Sequence, residues 1–61
     1  MTILATFQFE SDKRYYKYFT YCSGTRSEQA REFEYHQLLD EANRYAHDIA
    51  AKLIDIEIIN G

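Results

Sequence analysis

Four residues able to do chemistry share one flank of a predicted helix: His36, Asp40, Asn43 and His47, within about 60° of one another at about 100° per residue. His36 and Asp40 stand at i,i+4, a spacing that can supply two ligands to a metal. The chain supplies no obvious further ligand set, so an ordinary solvated helix flank is the better account. Cys22 is the single thiol, which excludes an internal disulfide. In the strand register preferred below it falls on the core side, where a buried thiol is inert. There is no glycine-rich phosphate loop and no H-E-x-x-H pair. The chain reads as non-enzymatic, with no catalytic residue, metal or cofactor.

The elements that position these groups are short. Sixty-one residues make one domain, spanning residues 1–61, that buries only about 60% of its unfolded surface, so its stability leans on a good core or on association. Hydrophobic residues at 46% make it globular rather than disordered. MTILATFQF lacks the basic start of a signal peptide, and no apolar run approaches the roughly 18 residues of a membrane span. With one thiol, this points to the cytoplasm and away from membranes.

Residues 2–9 alternate, with Ile3, Ala5, Phe7 and Phe9 on one face and Thr2, Leu4, Thr6 and Gln8 on the other. ESDK, residues 10–13, reads as a turn, and residues 14–22 as a second strand rich in Tyr, Phe and Thr. The register of this hairpin decides which aromatics face the core. A loop with an even number of residues puts Tyr16, Tyr18, Thr20 and Cys22 inside; an odd one puts Tyr15, Lys17, Phe19 and Tyr21 inside. The even register is preferred, because the odd one lays the Lys17 ammonium over the core.

Thr25 and Glu28 form a T-x-x-E capping box, with Ser27 as a competing N-cap. Nothing then breaks a helix before about Leu53. Tyr35, Leu39, Ala42, Ala46, Ile49 and Leu53 form its apolar stripe, flanked by Leu38 and Ala50, and the two alanines permit close packing. Asp40, Arg44, Asp48 and Lys52 climb the outer face with alternating sign. At about 26 residues and about 40 Å, such a helix overhangs any sheet built from strands of about 25 Å. Phe33 lies opposite the stripe on that overhang, against the preceding loop or against another chain.

Residues 54–59, IDIEII, alternate as a third strand. The predicted fold is α+β: β-β-α-β, a three-stranded, mostly antiparallel sheet in the order 2-1-3, with one long helix on one face. In the preferred register the uncovered face shows Leu4, Tyr15, Phe19, Tyr21 and Ile59, ringed by Lys17, Thr6, Gln8, Asp55 and Glu57. A patch so rich in tyrosine is what protein interfaces favour. A protein partner or a second copy is expected there, the homodimer contact being the open sheet face first, then the second strand's edge or the helix overhang.

Charge is uneven. Residues 1–31 hold five Lys and Arg against three Asp and Glu, whereas residues 32–61 hold two against seven. The acidic half argues against general nucleic-acid binding, which needs a basic surface. Single-stranded nucleic acid stacked on the sheet aromatics, with Lys13, Arg14, Lys17 and Arg26 nearby, is the alternative function.

The layout TILATFQF, RYYKYFTY, SEQAREFEYHQLLDEANRYAHDIAAKL, IDIEII resembles that of small phage-encoded proteins that block host polymerases or defence systems such as CRISPR effectors. The resemblance covers the whole chain as layout and transfers no family residue. It implies a stoichiometric inhibitor of a nucleic-acid-handling complex in the host cytoplasm, acting by occlusion. Glu34, Glu41 and Asp48 on the helix would then mimic nucleic-acid charge.

Overall fold

The computed structural model describes residues 1–24 and 27–60. Strand β1 is Thr2–Gln8, β2 is Arg14–Thr20, helix α1 is Glu28–Asp48 and β3 is Lys52–Asn60. The sheet is three-stranded in the order β2-β1-β3, and β1 is antiparallel to both neighbours. The α+β layout and strand order are those the hydrophobic alternation predicts. Every alternation in β1 follows from one face meeting α1, so Ile3, Ala5 and Phe7 are fully buried.

The hairpin register differs by one residue from the preferred one. Phe9 N–H donates to the Lys13 carbonyl at 2.9 Å, and Asp12 N–H donates to the Phe9 carbonyl at 2.9 Å. Asp12 sits at φ 66. This is a type I turn closed by a left-handed residue, and it makes a three-residue loop, Glu10–Asp12. Asp tolerates that conformation better than most residues, and its Oδ1 accepts from Gln8 Nε2 at 3.2 Å. The odd loop sets Gln8 opposite Arg14, Phe7 opposite Tyr15 and Ile3 opposite Phe19. A one-residue shift moves every side chain of a strand to the other face. Tyr15, Lys17, Phe19 and Tyr21 therefore lie on the helix side, and Tyr16, Tyr18 and Thr20 on the open side. Cys22 is exposed rather than buried.

Ser27 is the N-cap of α1, its Oγ accepting from Ala30 N–H at 3.1 Å; Thr25, the other capping candidate, lies outside the described residues. The helix stops at Asp48, well short of Leu53. Ala51 N–H donates to the Ala46 carbonyl at 2.9 Å, Ala50 N–H donates to the His47 carbonyl at 3.2 Å, and Ala50 lies at φ 55. That is a Schellman stop built on alanine instead of glycine. It releases Lys52 and Leu53 into β3, so Lys52 does not extend the charge row, and Leu53 pairs with Phe7 in the sheet.

Leu38, Ala42 and Ala46 meet Ile3, Ala5, Phe7 and Phe19 in the core, with Tyr35, Tyr45, Ile49, Leu53 and Ile56 packed around them. The buried line thus runs through Glu34, Leu38, Ala42 and Ala46, one step round the helix from the predicted stripe. As anticipated, the two alanines let helix and sheet approach. Glu34 packs beside Met1 and Ser23 at the sheet's end, so the first turns of α1 project past it.

Candidate interaction surfaces

The helix-side aromatics form one cluster. Phe7 stacks on Tyr15 at 6.2 Å between ring centroids and meets Tyr45 edge-on at 5.5 Å; Phe19 meets Tyr45 edge-on at 5.8 Å. Each such pair adds about 0.5–1.5 kcal/mol beyond its buried area. Lys17 completes the cluster, its Nζ 5.1 Å from the Tyr45 ring centre and 5.8 Å from that of Phe19. The stem covers apolar surface while the ammonium sits over ring faces, which removes the cost that argued against this register. Hydrogen bonding with the Tyr15 hydroxyl, followed by burial, raises the Tyr45 phenol above its usual 10.0.

The candidate partner residues therefore divide. Phe19 is buried in the core, Tyr15 and Lys17 are committed to the cluster with Tyr45, and Tyr21 is half-buried with its ring 6.0 Å from Phe33. None of the four stands on the open face. Phe33 packs on Tyr21 while remaining half exposed. Leu4 and Ile59 keep their places: Leu4 is half-buried on the open face, and Ile59 is exposed on β3.

The open face carries Tyr16 and Tyr18 instead, 57% and 63% exposed. Reading across the register, Thr6 stands between Tyr16 and Asp55, and Leu4 stands between Tyr18 and Glu57. Thr2 and Thr20 are paired through their hydroxyls at 3.0 Å. The face is thus a tyrosine column on β2, a column of Thr2, Leu4, Thr6 and Gln8 on β1 and an acidic pair on β3.

The acidic trio on the helix is reduced to two. Glu41 and Asp48 are exposed, but Glu34 is only 6% exposed. Its Oε2 accepts from Ser23 N–H at 3.3 Å and lies 3.9 Å from the Met1 ammonium, which donates to the Tyr21 carbonyl at 2.8 Å. Glu34 ties the loop before the helix to the end of the sheet, and it is not available as a charge mimic. The helix periodicity carries no signal for this, because its partners are the Ser23 amide and hydroxyl and the Met1 ammonium, all outside the helix.

The helix flank is likewise settled by local bonds. Asp40 pairs with Arg44 at 2.8 Å, and Asn43 Nδ2 donates to the Leu39 carbonyl at 3.0 Å. No group of three His, Cys, Asp or Glu among the described residues is placed to hold a metal ion. No helix among them is long and apolar enough to cross a membrane.

The two sheet edges differ. On β3 the pairing skips Ile54 and Ile59, so bulges interrupt the strand near both ends. On β2 the register runs unbroken from Arg14 to Thr20. Beside β2, a groove between strand and helix is lined by Lys17, Phe19, Tyr21, Glu41, Arg44 and Tyr45, among others. Compared with family models, curated proteins and solved structures, the chain has no match.

Proposed function

We propose that the chain is a non-enzymatic protein-binding module that acts by occupying a partner's surface with its open sheet face. One observation carries this reading: Tyr16 and Tyr18 stand in line along β2, more than half exposed, on a face that no element of the described residues covers. Exposed tyrosines on a rigid sheet supply contact area at low entropic cost, and they are enriched where proteins meet. The acidic column of Asp55 and Glu57 beside them suits a basic partner and disfavours a phosphate backbone. The same charge weighs against the alternative, single-stranded nucleic acid stacked on the tyrosines. A nucleic-acid-handling complex as target rests on the resemblance of layout to small phage inhibitors alone. Glu41 and Asp48 are the helix carboxylates left to support charge mimicry, with Glu34 withdrawn from it.

The test pairs two variants against wild type in affinity capture: Tyr16→Ser with Tyr18→Ser, and Glu41→Lys with Asp48→Lys. The reading expects a partner lost with the first and retained with the second. Retention by the tyrosine variant would overturn it. Titration with single-stranded oligonucleotide serves as the counter-test, and saturable quenching of tyrosine fluorescence would favour the nucleic-acid alternative.

A further inference from the structure

The β2 edge holds information beyond the open face. Met1 and Tyr21 exchange main-chain bonds at 2.8 and 3.0 Å, and Phe9 bonds Lys13 at 2.9 Å. In an antiparallel ladder bonded pairs alternate with non-bonded ones. Between those two ends the bonded pairs are Ile3–Phe19, Ala5–Lys17 and Phe7–Tyr15. Arg14, Tyr16, Tyr18 and Thr20 therefore aim their N–H and C=O groups away from β1, and no strand of the described residues lies beyond them. The β3 edge is blunted by its two bulges and by Asp55 and Glu57, devices that discourage pairing. β2 has no bulge, and its one mid-strand charge, Lys17, is folded over Tyr45.

We propose that a second copy of this chain pairs antiparallel along β2, centred on Tyr18, to make a continuous six-stranded sheet. This goes beyond the proposed partner surface and does not depend on it. Three observations select this occupant and register. First, a two-fold centred on Lys17 would set two ammoniums directly opposite, and one centred on Tyr16 would run the partner strand into the left-handed Asp12. Centring on Tyr18 sets Lys17 opposite Phe19, Tyr16 opposite Thr20 and Tyr15 opposite Tyr21, with no like charges facing.

Second, the helix flank along the groove is self-complementary about the same axis. α1 runs antiparallel to β2, and Tyr45 packs at the level of Lys17. At about 3.3 Å per strand residue and 1.5 Å per helix residue, Tyr18 is level with Ala42 and Asn43. A two-fold there brings Glu41 of each copy to Arg44 of the other, and Gln37 to Asp48. All four of these residues line the groove.

Third, the single chain is under-buried. Its accessible surface is 4623 Å², against about 4,200 Å² for a monomer of this mass, and it measures 41 × 18 × 12 Å. An added strand and an apposed helix flank on each side would supply surface of the order of the roughly 800 Å² per partner of a stable complex. The product would also bring two Tyr16–Tyr18 columns together on one enlarged open face.

Light scattering across a dilution series, combined with residue-resolved amide exchange at its two ends, tests the pairing without any substitution. The expected result is a dimer in which the Tyr16, Tyr18 and Thr20 amides are slowed at high concentration, while those of Tyr15, Lys17 and Phe19 are protected at both ends. Glu41→Arg and Arg44→Glu add a second arm. Each alone is expected to weaken association roughly tenfold or more, and mixing the two restores it, because both cross-pairs are then opposite in sign. A monomer at every concentration overturns the proposal. So does a dimer whose Tyr16 and Tyr18 amides exchange equally fast throughout, or a charge-swapped mixture that fails to recover.

Discussion

Ala50→Gly tests the helix stop. Ala50 is held at φ 55, a left-handed conformation in which its Cβ crowds the following carbonyl. That crowding costs about 1–2 kcal/mol for a residue with a Cβ. Glycine removes the clash but adds about 0.5–1 kcal/mol of unfolded-state entropy. Ala50 is exposed, so no packing is lost. The net expectation is a gain of about 0.5–1 kcal/mol, or about 4–8 °C in melting temperature for a domain of this size. Thermal unfolding followed by circular dichroism reads it directly. The sign is decisive. If the helix ran on to Leu53, as its uninterrupted apolar pattern suggests, position 50 would be helix interior. Glycine would then cost about 1 kcal/mol. A fall in melting temperature would refute the Schellman stop and, with it, the start of β3 at Lys52.

Asp12→Gly is expected to stabilise the hairpin by about 0.5–1 kcal/mol through the same left-handed argument at φ 66, less the small loss of the Gln8 bond; chemical denaturation checks it, and destabilisation would count against the three-residue loop. Glu34→Ala should cost about 1–3 kcal/mol, because it removes the carboxylate that accepts from Ser23 and faces the Met1 ammonium; a change within experimental error in a denaturant midpoint would show the tie to be dispensable. Stability should also fall at alkaline pH. The Tyr45 phenol is raised in the folded state, so above about 10 the unfolded chain ionises first and stability drains away as pH rises through the folded value. Tyr45→Phe should flatten that alkaline slope in melts taken from neutral to high pH, and an unchanged slope would remove Tyr45 as its source.

The strand alternation and the order of elements were legible because each depends on local pattern, and the sheet order because few connections are allowed; Ser27 was legible only as the competitor of Thr25 for the N-cap. The hairpin register was not, because it turns on whether ESDK holds an odd or an even loop. Asp12 in a left-handed conformation leaves no glycine to mark it. An unpaired Lys17 ammonium facing inward would be costly, but the compensating group, the Tyr45 ring, comes from the helix and meets Lys17 only after assembly. The same holds for Glu34, whose spacing matches Glu41 and Asp48 but whose partners are a loop amide and the first residue's ammonium. The helix end escaped because alanine occupies the position where glycine usually signals a stop.

The corrected register changes what a partner on the open face would meet. Thr6 is 7% exposed although no element lies over it. Its neighbours in register are Tyr16 and Asp55, so the covering surface comes from the side chains beside it. The tyrosines therefore serve the sheet as well as any partner, and shortening them exposes β1. That explains how Tyr16 and Tyr18 persist on a small domain without a lid: each ring shields one flank of its strand pair and leaves its hydroxyl in water. It also gives the face a direction. Tyr16 and Tyr18 lie along β2, Asp55 and Glu57 along β3, and Arg14 and Lys52 flank Gln8 from either side at the hairpin end. A partner that seats apolar or aromatic groups against β2 must set basic groups against β3, and a flat apolar surface alone would leave two carboxylates desolvated and unpaired. Complementarity on this face is therefore a matter of charge and shape together, and it selects a basic protein surface over a bare hydrophobic one.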